Sequence, residues 1–126
     1  MSLVVSDTSP LTNLAAIGQF GVLRALYGSL HIAEAVWAEL NFAGKIWPGR
    51  HEVANADWIQ RHTPGNRALV AALRQDLDPG EAESIALALE LKASLILLDE
   101  RDGRHKALGL GLKPVGVLGI LLAAKA

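Results

Sequence analysis

Apolar positions in this chain come in two forms, short unbroken runs and longer stretches at helical spacing. Leu3-Val4-Val5 runs straight into Ser6, Asp7, Thr8, Ser9 and Pro10. An unbroken apolar run marks a strand covered on both faces, so a buried strand is predicted to end at Asp7. Proline is accepted in the first turn of a helix but not in its interior, which starts a helix near Ser9. Leu11, Leu14, Ala15 and Ile17 carry that helix to Gly18, and Val22, Leu23 and Leu26 mark a second, from Phe20 to Tyr27, stopped by Gly28. Leu30-His31-Ile32 reads as a second strand. A helix from Glu34 to about Phe42 follows, with Val36, Trp37 and Leu40 on its apolar face.

Residues 43–56 are the least regular stretch, broken by Gly44, Pro48 and Gly49, with one or two helical turns expected between His51 and Ala56. Trp58-Ile59 predicts a weak strand at a sheet edge. Thr63 to Asn66 forms a turn that caps a helix from Arg67 to about Gln75. Asp78-Pro79-Gly80-Glu81 is a strong helix start, with Asp78 as cap, Pro79 at the first helical position and Glu81 placed for a capping box. That helix runs to about Leu91. Leu95 to Leu98 is the clearest strand, and it too runs into an acid, Asp99. A helix from Arg101 to Leu108, a short strand at Pro114-Val115 and a helix from Gly116 to Ala124 complete the chain. Strands alternating with helices imply an α/β fold, a mainly parallel sheet with helices on both faces.

Composition narrows the chemistry. A chain of 126 residues, 51% hydrophobic, is expected to form one domain over 1–126. A formal charge of −1 argues against a broadly basic surface, not against nucleic acid held at a local site. With no cysteine, disulfides and thiolate metal sites are excluded, and a reducing cytoplasm is the expected home. The N-terminus has no secretory pattern, and the apolar tail from Val115 to Ala124 falls short of the roughly 20 residues that span a bilayer. The four histidines, His31, His51, His62 and His105, are not paired on one helical turn as zinc ligands would be. No nucleophile elbow or phosphate-binding glycine loop is present.

The acids are the candidate chemistry. Asp7 and Asp99 both end apolar strands, and parallel strands bring their carboxyl ends to one edge of the sheet. Asp7 or Ser9 can equally serve only as a helix cap. Glu39 sits on the helix after the second strand, where a solvated role is the alternative. Glu81 and Glu83, two positions apart, point about 200° from each other around their helix; Glu81 is assigned to the cap and Glu83 to the site. Asp102 lies one turn past Asp99. Arg101 and Arg104 beside these acids are candidates for substrate phosphates, or ordinary surface charge. Carboxylates crowded in one cleft require divalent cations or raised pKa values. Oxygen ligands without thiols favour Mg²⁺ or Mn²⁺, which suits phosphodiester cleavage.

Five stretches taken in order resemble the PIN-domain family. They are Val-Val-Ser-Asp-Thr-Ser-Pro-Leu, Ala-Val-Trp-Ala-Glu-Leu, Asp-Pro-Gly-Glu-Ala-Glu-Ser-Ile-Ala-Leu-Ala, Leu-Leu-Asp-Glu-Arg-Asp-Gly-Arg and Val-Gly-Val-Leu-Gly-Ile-Leu. More narrowly, they resemble small prokaryotic PIN proteins related to VapC toxins, over Ser2 to about Ala124. The resemblance implies a three-layer sandwich around a parallel sheet, with acids at one edge that bind Mg²⁺ or Mn²⁺. It places the family's acids on Asp7, Glu39, Glu83 (or Glu81) and Asp99, a more variable fifth on Asp102, and a supporting hydroxyl on Ser9. It implies a metal-dependent endoribonuclease, the toxin of a toxin–antitoxin pair, with RNA as substrate, a small antitoxin protein as partner, a homodimer as the assembly and no membrane. Relatives often carry Thr at the position of Val117 and a second Asp at that of Glu100, and many continue past the position of Ala126. Those departures bear on activity and on the oligomer contact. They keep open a nucleic-acid-binding module without efficient chemistry; a nuclease acting on DNA would use the same metal logic.

Overall fold

The computed structural model describes residues 3–42 and 44–125. Among them, five strands form one all-parallel sheet in the order β3-β2-β1-β4-β5, with eight helices around it. Strand β1 is Val4–Ser6, followed by α1 (Thr8–Ala16) and α2 (Gly21–Tyr27). Strand β2 (Leu30–Ala33) leads to α3 (Glu34–Leu40) and α4 (Arg50–Ala54), then to β3 (Ile59–His62). Helices α5 (Arg67–Leu73) and α6 (Pro79–Leu91) return the chain to β4 (Leu95–Leu97), and α7 (Arg101–Gly109), β5 (Pro114–Val115) and α8 (Val117–Lys125) finish it. No helix among the described residues is long and apolar enough to cross a membrane.

Side chains alternate across the pleat, and the two faces of the sheet accordingly carry separate apolar clusters. Val5, Ala33, Ile96 and Leu98 pack with Val70, Leu73, Ile85 and Ala107 under α5, α6 and α7. Val4, Leu30, Ile32 and Leu97 pack with Leu11, Leu14, Leu23, Val36, Leu40 and Ile120 under α1, α2, α3 and α8. Register holds the strands together: Val5 lies opposite His31 on β2 and Ile96 on β4, and Leu97 opposite Val115 on β5. Helix α6 is buried from Gly80 to Ala88, a stretch that includes the carboxylates of Glu81 and Glu83.

Most element boundaries differ from expectation by a residue or two. Helix α1 begins at Thr8, so Pro10 stands at its third position, where its missing N–H still costs no helical bond. Helix α3 ends at Leu40 and leaves Phe42 outside it. Strand β3 is longer than Trp58-Ile59 suggests and runs to His62. It lies at the edge of the sheet, and backbone pairing with β2 from Ile59 to His62 needs no apolar pattern on Gln60 and Arg61, which are exposed.

The topology also fixes where a cleft opens. From β1 the chain steps outward through β2 to β3, then crosses back to β4 on the other side of β1. The order reverses between β1 and β4, and open parallel sheets form their crevice outside the carboxyl ends of the strands at that point. Asp7 and Asp99 follow those two strands.

Candidate active site

The end of β1 is tied to the end of β4, since the Asp7 backbone N–H donates to Leu97 O at 2.9 Å. Asp7 occupies the cap position of α1 but makes no side-chain capping bond. Its side chain is 2% exposed, and Oδ1 is buried without a hydrogen-bond partner. Beside it, Thr8 Oγ1 donates to Glu39 Oε2 at 2.8 Å, fixing a carboxylate brought in by α3. Both acids border the space beside Gly80 in the first turn of α6. A Cβ at that position would lie 2.5 Å from Glu39 Oε2 and 3.2 Å from Asp7 Oδ1, so a side chain there would displace the Glu39 carboxylate.

Electrostatics single out the same spot. Burial pushes the Asp7 carboxyl up from 3.8 to about 8; the Thr8 backbone N–H tempers the rise, and the charges of Asp78, Glu81 and Glu39 add to it. Glu39 is raised by desolvation and by Asp78, against the Thr8 hydroxyl. Glu81, 6% exposed, is pushed up to about 7 by burial first and then by Asp78. Asp99 is held differently. Val117 N–H donates to its Oδ1 at 2.8 Å and Asn13 Nδ2 to its Oδ2 at 2.9 Å. Arg104 converges with it on Gly116, where a Cβ would lie 2.9 Å from Asp99 Oδ1 and 3.3 Å from Arg104 Nη1.

The family model described as DUF3368, a PIN domain, matches residues 3–126. This chain belongs to the PIN-domain family. PIN domains are generally nucleases, hydrolases that typically use divalent metal ions. Among solved structures, the chain is similar to a PilT N-terminus domain protein, SSO1118, from the hyperthermophilic archaeon Sulfolobus solfataricus P2. Identity is 19% and the TM-score 0.65, over 97% of this chain and 92% of that one, a likeness of fold. No curated protein matches.

Against the sequence reading, this PIN domain divides its acids. Asp7 and Glu39 meet at Gly80, and Asp99 ends the neighbouring strand. Glu81 forms the capping box, with Asp78 Oδ1 accepting from Glu81 N–H at 2.8 Å and Glu81 Oε1 from Asp78 N–H at 3.3 Å. Its other oxygen, Oε2, is buried without a partner and abuts Gly103. Both carboxylate oxygens of Glu83 have protein partners. Its Oε1 accepts from Ala35 N–H at 3.0 Å, capping the first turn of α3 from outside, and its Oε2 pairs with Arg67 at 3.0 Å. Glu81 thus caps α6 as expected, while both oxygens of Glu83 are engaged by α3 and α5. Asp102 is exposed and lines a separate cleft with Asp76, His105 and Lys106. Arg101 is exposed on α7. The hydroxyl that reaches an acid belongs to Thr8, one residue before Ser9.

Sequence reasoning also missed participants. Asp78 reads as a cap and nothing more, yet its charge bears on Asp7, Glu39 and Glu81; the available signal was that its helix begins at the edge where the strands end. Asn13 gave no signal, since it lies five residues past the start of α1. Strands β2 and β3 set His31 Nδ1 2.8 Å from His62 Nε2, a pair that helical spacing cannot reveal.

No three His, Asp or Glu side chains among the described residues form a ready ligand group. Mg²⁺, however, is commonly held by one or two carboxylates, with waters and substrate phosphates completing its shell. Asp7 Oδ1, buried without a partner and adjoining Glu39 Oε2, fits that mode.

Proposed function

We propose that this PIN domain is a Mg²⁺- or Mn²⁺-dependent endoribonuclease. The observation that supports it best is the unpartnered Oδ1 of Asp7 meeting Glu39 over Gly80 at the switch point of the sheet. Asp7 and Glu39 would hold the ion, with Asp78 as the further charge that both acids feel. When bound, the ion supplies Lewis acidity toward the phosphodiester and acidifies water. Thr8 orients Glu39 through its hydroxyl. Asn13 and the Val117 N–H hold Asp99 in one rotamer beside the site. Arg104, next to Asp99, would take a substrate phosphate, and Arg101 provides exposed charge on the same helix.

We further propose the role of toxin, working as a homodimer in the cytoplasm and neutralised by a small antitoxin protein. Its support is the resemblance of the five stretches to small prokaryotic PIN proteins. The test is cleavage of matched single-stranded RNA and DNA, with Mn²⁺ and with chelator. RNA cleavage that requires the ion supports the proposal. Preferential DNA cleavage makes the protein a DNA nuclease, and no cleavage of either makes it a binding module. A small upstream reading frame encoding a DNA-binding protein would support the toxin role.

A further inference from the structure

Glu39 has two neighbourhoods. Its Oε2 faces Asp7 and Gly80, and its helix also walls a cleft of about 310 Å³ lined by Ala35, Ala38, Glu39, Phe42 and Pro79. Phe42 lies just beyond the end of α3 and is 65% exposed. Ala35 and Ala38 leave room beside it, and Pro79 brings no N–H donor. The cleft is therefore apolar apart from Glu39, and it opens next to the acid pair.

The following residues have a matching character. From Asn41 to Arg50 the sequence holds Phe42, Trp47, Lys45 and Arg50 and no acid. The Lys45 ammonium sits 5.0 Å above the Trp47 ring, and Ile46 is largely exposed. An acidic centre repels a polyanion, and cations and aromatic faces in the segment that follows Phe42 would offset that repulsion. Proteins that hold single strands combine these two features, cations along the backbone and aromatic rings under the bases.

We propose that the Phe42 cleft is a nucleobase-stacking subsite, which seats a base of single-stranded nucleic acid beside the phosphate presented to Asp7 and Glu39. This rests on the nuclease reading and goes further, since it names Phe42 as a residue that binds a base. The observations favour a base over an apolar protein segment. The segment after the cleft carries cations and no acid, which suits a polyanion, and the lone polar group of the wall belongs to the acid site itself.

The test is the Kd of an end-labelled RNA oligoadenylate, measured by fluorescence anisotropy without divalent ions at fixed salt. Phe42→Ala and Phe42→Leu should each weaken binding about tenfold, while Phe42→Trp stays within about twofold of the parent. The same oligonucleotide in a duplex should bind less tightly than the single strand. Phe42 is exposed, so the variants should keep the parent melting temperature, and that is checked alongside. Unchanged single-strand affinity in Phe42→Ala overturns the proposal and leaves the cleft to an apolar protein partner. Phe42→Leu equal to the parent also overturns it, because leucine keeps apolar contact without stacking. Cleavage of the same oligonucleotide with Mn²⁺ separates the two levels. If the parent cleaves and Asp7→Asn does not, while Phe42→Ala binds normally, the subsite fails and the nuclease reading survives. If the parent neither binds nor cleaves, both fail.

Discussion

Asp7→Asn is expected to stabilise the metal-free protein at alkaline pH. In the folded state the Asp7 carboxyl is raised from 3.8 to about 8, chiefly by burial. The folded protein therefore binds this proton more tightly than the unfolded chain does, and stability falls as pH rises from about 4 to about 8. The charge is fully present in both states only above that window. Each pH unit across it is worth about 1.4 kcal/mol, giving an upper bound of about 6 kcal/mol. Relaxation and water entry reduce such penalties in real proteins, so a gain of about 2–4 kcal/mol is expected for the variant at pH 8. Asparagine keeps the shape and removes the charge.

For a chain of this size that gain corresponds to a rise in Tm of about 10 °C. At pH 4, where the parent carboxyl is protonated in the fold, the two proteins should melt within about 2 °C of each other. The assay is a thermal melt of both proteins, with chelator, at several pH values between 4 and 8.5. A Tm difference that does not grow with pH would refute the reasoning, since it would mean that Asp7 carries its charge in the fold at no cost.

Other expectations follow from the same geometry. Gly80→Ala should push the Glu39 carboxylate away from Asp7 and lower Mn²⁺-dependent cleavage by at least about tenfold, with the circular-dichroism spectrum unchanged. Glu83→Ala should cost about 1–3 kcal/mol in denaturant unfolding, because it strands the Ala35 N–H and breaks the Arg67 pair, and should leave cleavage in place. Val117→Thr should change the cleavage rate less than about twofold, since Asp99 is held there by a backbone N–H that either residue supplies.

The sheet was legible because buried parallel strands carry unbroken apolar runs, as Val4-Val5 and Leu95 to Leu98 do. The capping box at Asp78 and Glu81 was legible because its residues sit at fixed local spacing. Legibility stopped where partners come from distant elements. The Glu81 and Glu83 directions depend on what packs against each turn of α6, and Ala35 and Arg67, which claim Glu83, lie elsewhere in the chain. The support at position 117 was sought in a side chain, whereas the main chain provides it. Asp102, one turn past Asp99, looked like a neighbour by spacing, but it is exposed and lines a cleft with Asp76 and Lys106.

The central claim, that Asp7 and Glu39 form the cation-holding pair, is tested most directly by calorimetric titration with Mn²⁺ at pH 8. The parent should bind the ion, Asp7→Asn should lose the binding heat, and Glu83→Gln should bind as the parent does. Binding that survives in Asp7→Asn, or disappears in Glu83→Gln, would contradict the account.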